Sequence, residues 1–198
     1  MASFDMRDPD FEARVRESFG SLTFMRTIGA QLLSVAPGEV EIELPFRSDL
    51  TQHHGFLAAA ALTAIVDVAC GYAAMTLMAP GASVVTVEYK VNFLSPAQGE
   101  RMLARGRVLR PGRTVTVCAG DVLAVIGGQE RLVATMLGTM ATVRGEERDT
   151  LRSTPEVTTA HDPHIRSHRP RGSWRRARPW CVCRDGKLRQ RVQQLLGG

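Results

Sequence analysis

From Phe56 to Met78 the chain reads FLAAAALTAIVDVACGYAAMTLM, with a single charge, Asp67, and no proline. Ala and Leu at this density favour helix, and a helix apolar on every face is either a core helix or a membrane span. The span fails on three counts. An Asp at mid-helix costs about 2.5–3.5 kcal/mol on insertion scales, the eight Ala offset little of it, and no Lys or Arg flanks the segment. We expect a buried central helix over residues 58–78, and the rest of the chain has to wrap it.

The neighbouring segments carry a different period. Val40, Ile42 and Leu44 alternate with Glu39, Glu41 and Glu43, the pattern of a half-buried strand with an acidic wet face. Extended structure is expected over Leu32 to Phe46, broken at Pro37-Gly38. After Pro80-Gly81, four segments rich in Val, Thr and Leu follow: Ser83–Leu94, Glu100–Leu109, Arg113–Val125 and Leu132–Val143. Turn residues separate them, and connections this short imply a meander of antiparallel neighbours. Upstream, Phe11, Val15 and Phe19 recur at helical spacing before Gly20, which predicts a short helix from Asp8 to Phe19. The sum is an α+β domain whose antiparallel sheet wraps one long helix. Such a sheet covers the helix on one side, so the remaining apolar surface and open edges predict a homodimer.

The formal net charge of +5 divides unevenly. Residues 1–144 hold 13 Lys/Arg against 14 Asp/Glu, whereas residues 145–198 hold 12 against 6. We therefore read 1–144 as one domain, with 1–23 as a helical extension, and 145–198 as a basic tail whose composition predicts disorder. The tail interleaves Trp174 and Trp180 with Arg171 to Arg178, a spacing that suits stacking on nucleic acid. The chain has two Lys against 23 Arg, however, and a GC-rich or shifted frame explains such Arg- and Pro-rich text better, so nucleic acid is not expected. Cys181-Val182-Cys183 with His161, His164 and His168 lacks the second Cys pair of a metal site, and no metal is expected. Four scattered Cys exclude a disulfide scaffold and fit a reducing compartment. The N-terminus has no apolar run, so the cytoplasm is the expected location.

The order of the motifs resembles the PaaI type of hotdog-fold acyl-CoA thioesterases. The resemblance covers roughly residues 24–144. It rests on Gln52-His53-His54-Gly55-Phe56-Leu57 before the helix and Ile65 to Ala74 within it. Val87 to Ala97 and Val108-Leu109-Arg110-Pro111-Gly112-Arg113-Thr114 follow. It implies hydrolysis of an acyl-CoA thioester without a cofactor, by a homodimer or a dimer of dimers.

The resemblance also implies roles. Asp67 holds the position of the helix carboxylate that serves as general base or nucleophile. The bare physics agrees, since a lone carboxylate in an apolar helix must be neutralised, paired or open to a cleft. The N–H of Ala59 holds the place of the oxyanion donor at the helix N-terminus. Relatives carry His-Gly-Gly or His-Ala-Gly there, and this chain has Ala58-Ala59-Ala60. Gln52 and Thr86 correspond to groups that orient the attacking water, and His54 to a neighbouring helper. Arg110, Pro111, Gly112, Arg113, Thr114 and Val115 form the turn that contacts CoA, where two Arg can hold phosphates. Phe93 borders the pantetheine or acyl channel. Each has a plain structural reading beside it: a core Asp, loop polar groups, a strand Thr, a solvated hairpin and a core Phe. The alternative to turnover is a module that binds acyl-CoA without hydrolysing it, which the Ala triplet favours.

Overall fold

The computed structural model describes Phe4 and residues 7–144. Helices α1 (Phe11–Ser21) and α2 (Thr23–Ile28) lead into strands β1 (Gln31–Ala36) and β2 (Glu39–Pro45). Two short 3-10 turns precede α3 (Ala59–Met75), after which come β3 (Ser83–Phe93), β4 (Arg101–Arg110), β5 (Val115–Ile126) and β6 (Gln129–Val143). The six strands make one antiparallel sheet in the order β1-β2-β4-β5-β6-β3, with α3 packed on one face. This is the expected α+β arrangement of a sheet wrapped on one helix. No helix among the described residues is long and apolar enough to cross a membrane.

The alternating segment behaves as its period requires. Val40, Ile42 and Leu44 are buried in the core while Glu41 and Glu43 face outward. On that outer face Glu41 and Glu130 both pair with Arg105, and Arg107 pairs with Asp121 at 2.7 Å. The inner face of β4 and β5 meets the helix through glycine. Gly106 and Gly120 lie opposite one another in the ladder. A Cβ on Gly106 would run into the backbone of Ala69 and Cys70, and one on Gly120 would lie 2.8 Å from the Cys70 sulfur. The absent side chains let α3 sit directly on the sheet.

Three expectations need correction. The first helix starts later than Asp8 and runs through Gly20 to Ser21, and a second helix, α2, follows at once. The stop is Gly29, whose φ of 79° is the left-handed conformation that glycine adopts without Cβ strain. The central helix ends at Met75 rather than residue 78. Thr76 closes it: its hydroxyl donates to the Ala73 carbonyl and accepts from the Gly38 N–H, both at 2.7 Å. The strands after α3 are also no simple meander, because β3 and β4 are not neighbours. The linking loop instead crosses the ends of β5 and β6. Leu94 N–H donates to Val133 O at 2.8 Å, Glu100 N–H donates to Val125 O at 2.9 Å, and Ala97 between them is buried. Seven residues thus carry the chain from one edge of the sheet to its middle. The tail expected over 145–198, with its Cys and His, lies outside the described residues.

Candidate functional site

Asp67 lies near the middle of α3, and its carboxylate reaches a cavity of about 490 Å³. One face of α3 forms the floor, with Val68, Gly71, Tyr72 and Met75 following Asp67. The start of β3 forms one wall through Ser83, Val84 and Thr86, and α1 with its exit forms the other through Arg14, Glu17, Ser18, Ser21 and Leu22.

Thr86 donates its hydroxyl to Asp67 Oδ1 at 2.9 Å. Asp67 Oδ2 has no protein partner among the described residues, which leaves that oxygen to the cavity. Partial burial raises the Asp67 pKa above the usual carboxylate value, and the Thr86 hydrogen bond offsets part of that rise. One oxygen held and one free is the geometry of a positioned base. Cys70 and Cys118 are buried nearby in the core, and burial pushes the Cys118 thiol up to about 12, so neither offers a thiolate.

The turn between β4 and β5 stands beside a second cavity of about 440 Å³, which Pro111, Gly112 and Arg113 line together with Arg7. A Cβ on Gly112 would collide with the Val115 carbonyl, so the turn needs glycine there. Arg110, Thr114 and Val115 are exposed around it. The two cavities share Gly81 and Ala82 in their linings.

The remaining predicted residues gather at the opposite end of α3. Ala59 opens the helix eight residues before Asp67, a rise of about 12 Å. Its N-cap, Ala58, supplies no side-chain hydrogen bond, and the Ala59 and Ala60 N–H groups have no backbone partner among the described residues. Gln52 and His54 precede the helix in exposed turns, with His54 in the left-handed region at φ 67°. Phe93 ends β3 and is 47% exposed, which corrects its reading as a core residue. It pairs in register with the inward-facing Ala134, but α3 lies mainly over β4 and leaves this half of β3 uncovered. The protomer therefore unites Asp67 with Thr86 and keeps Gln52, His54, Ala59 and Phe93 away from them. Among the described residues, no group of three or more His, Cys, Asp or Glu is placed to hold a metal.

The contribution of α1 was not foreseen. Its residues reach the cavity because Arg14 ties the helix to the end of α3. Its guanidinium donates to the carbonyls of Met75, Met78, Ala79 and Ala82 at 3.0–3.2 Å and pairs with Asp8 at 2.9 Å. The only trace in the sequence is the polar face Arg14, Glu17, Ser18, Ser21 of an amphipathic helix.

Comparison with known proteins follows the same lines. The family model described as the thioesterase superfamily matches residues 54–130. A protein of Saccharolobus solfataricus named "Putative esterase" is 30% identical over 90 residues, 46% of this chain and 64% of that protein, so the match spans just under two thirds of its length. The crystal structure of a thioesterase family protein from Silicibacter pomeroyi is 46% identical, covering 68% of this chain and 99% of that one, with a TM-score of 0.67. The PaaI protein of the E. coli phenylacetic acid degradation operon shares the fold at 17% identity, covering 68% and 94%, with a TM-score of 0.61.

Proposed function

The chain belongs to the thioesterase superfamily, and from that premise we propose that it hydrolyses acyl-CoA thioesters as a homodimer, with Asp67 as general base. The observation that carries this reading is the Asp67 carboxylate in its cavity, one oxygen held by Thr86 and the other open. Asp67 takes a proton from water as the oxygen attacks the thioester carbon. The carbonyl oxygen becomes an oxyanion, the C–S bond then breaks, and the proton returns to the departing sulfur. General-base help of this kind is worth about 10²–10⁴-fold.

The oxyanion needs a donor on the far side of the carbonyl, and the uncapped N–H of Ala59 suits it in charge and direction. In one protomer it is about 12 Å up the helix, so the donor comes from a second copy. The surface that supports a second copy is β3. It is an edge strand with open backbone groups, and Val85, Val87, Tyr89 and Phe93 along it are each at least 45% exposed. Two copies paired antiparallel along β3 exchange ends, which carries Ala59, Gln52 and Phe93 of each toward Asp67 of the other. Arg110 and Arg113 hold the phosphates of CoA at the β4–β5 turn.

The test is a panel of acyl-CoAs assayed for released thiol, with wild type and Asp67→Asn side by side. The variant keeps the shape and removes the charge, so kcat falls about 10²–10⁴-fold while the dimer mass is retained. Unchanged turnover in Asp67→Asn refutes the assignment of the base. A wild type that binds acyl-CoA but releases no thiol leaves the binding-module reading, which the Ala58-Ala59-Ala60 triplet favours.

A further inference from the structure

The outer face of the sheet, turned away from α3, divides into two parts. Around β2 and β4 the chain answers its own charges: Glu43 pairs with Arg101, Glu41 and Glu130 with Arg105, and Asp121 with Arg107. The other part is apolar. Val85, Ala141 and Val115 stand side by side across β3, β6 and β5. Val117 follows beside Thr139, and Leu137 lies beside Ala119. The residues that alternate with them, Thr116, Cys118, Met136 and Met140, are buried, so strand alternation turns this set outward. Val85, Val115 and Leu137 are 46–52% exposed, and a contiguous apolar patch of this kind marks a contact surface.

We propose that this patch is a second interface between copies of the chain, through which two β3-paired dimers stack outer face to outer face. The proposal rests on the β3 pairing argued above and extends it. Antiparallel pairing along β3 continues the sheet, so both copies present their outer faces on the same side. The dimer then carries two identical patches on one face, related by its two-fold axis. The same face of a second dimer fills both patches at once, which closes the assembly at four chains and leaves no end for a filament to grow from. Charge at the rim fits the same partner. Glu88 and Lys90 sit two residues apart on the outer side of β3, beside Thr139 and Leu137. Glu88 accepts a hydrogen bond from Thr139, and Lys90 has no partner among the described residues. A copy turned about a two-fold axis offers Lys90 to Glu88 and Glu88 to Lys90, with the apolar residues between as the core of the contact. An anionic lipid surface or a nucleic acid would call for cations alone. The patch is small for a permanent interface, so the contact is a weak one that forms at micromolar concentration and parts on dilution, and the β3 dimer remains the catalytic unit.

The experiment is sedimentation of the full chain from nanomolar to high micromolar concentration. Wild type passes from two-chain to four-chain mass across that range. Leu137→Asp places a charge in the centre of each patch and raises the dimer–tetramer dissociation constant about thirtyfold or more, which leaves two-chain mass throughout. Leu137→Lys does the same alone, and an equal mixture of Leu137→Asp and Leu137→Lys regains the four-chain mass, because each patch meets a copy of itself. Thermal melting of both variants is run in parallel. Leu137 is exposed and on the far side of the sheet from Asp67, so melting temperature at nanomolar concentration and turnover per chain stay those of wild type. A wild type that stays two-chain at every concentration overturns the inference and leaves the β3 pairing standing. A tetramer that survives Leu137→Asp, or a mixture that stays two-chain, also overturns it. A wild type that sediments as a single chain overturns the β3 pairing and this inference together.

Discussion

Alanine placed at two glycines of the same packing layer should move stability in opposite directions. At Gly106 the new Cβ meets the backbone of Ala69 and Cys70. Backbone on a packed helix cannot rotate aside as a side chain can, so α3 must lift from β4. Overpacking in a filled core costs about 1–3 kcal/mol, and the upper part of that range applies where the obstacle is main chain. For a domain of this size, each kcal/mol is about 2–8 °C in Tm, so Gly106→Ala should melt at least about 5 °C below wild type. Gly71 is the contrast. Its added Cβ would lie 3.7 Å from Val84 Cγ1, an ordinary contact, and Gly71 sits inside α3, where Gly costs about 0.8–1.0 kcal/mol relative to Ala. Gly71→Ala should therefore raise Tm by about 2–6 °C. The assay is calorimetry of the full chain at one fixed protein concentration, since a dimer's Tm depends on concentration. A Gly106→Ala protein melting with wild type, or a Gly71→Ala protein melting below it, would refute the claim that bare glycine backbone sets the seat of the helix.

Three further outcomes follow from the site. Asp67 must be ionised to act as a base, and its pKa is raised mainly by burial, so the acidic limb of kcat/KM should lie above the usual Asp range. Thr86→Val removes the hydrogen bond that lowers this pKa and should move the limb to still higher pH, whereas a limb that stays or falls contradicts the pairing. Arg14→Ala strips four carbonyls of a charged donor and should cost about 2–3 kcal/mol, with hydrogen exchange fastest in α1; Arg14→Lys should rescue little, since an ammonium cannot span the four acceptors. Ala59→Gly should raise kcat by letting the thioester approach the N–H, at a cost of about 1 kcal/mol in helix propensity, and a lower kcat would show that Ala59 does not crowd the substrate.

Much of the fold was legible because each element announces itself locally. The apolar run with one carboxylate specified a buried helix, and the Val40, Ile42, Leu44 alternation specified which face of β2 turns inward. Asp67 could be singled out by the same logic, since one charge in an apolar helix demands an opening. Thr86 was expected only as a group beside the attacking water, and its hydrogen bond to Asp67 and the free second oxygen emerged only with β3 in place. The second helix was missed because Leu22 to Ile28 is shorter than a periodicity window, and α1 was read as an extension because nothing in its sequence names what it packs against.

What the chain alone determined is therefore the period and polarity of each segment, which depend on neighbours a few residues apart. What only the tertiary structure decided is partnership. Beta-3 could have paired with β4, its successor, and the sequence between them is short enough for a turn. Instead it lies against β6 at the far edge, leaving Tyr89 and Phe93 on an open inner face and bringing Thr86 to Asp67. Alternation states that a face must be buried without stating by what. The choice is made by the summed burial of every element at once, and here that sum favours a helix seated on β4, a loop crossing the ends of β5 and β6, and α1 clamped by Arg14 over the site.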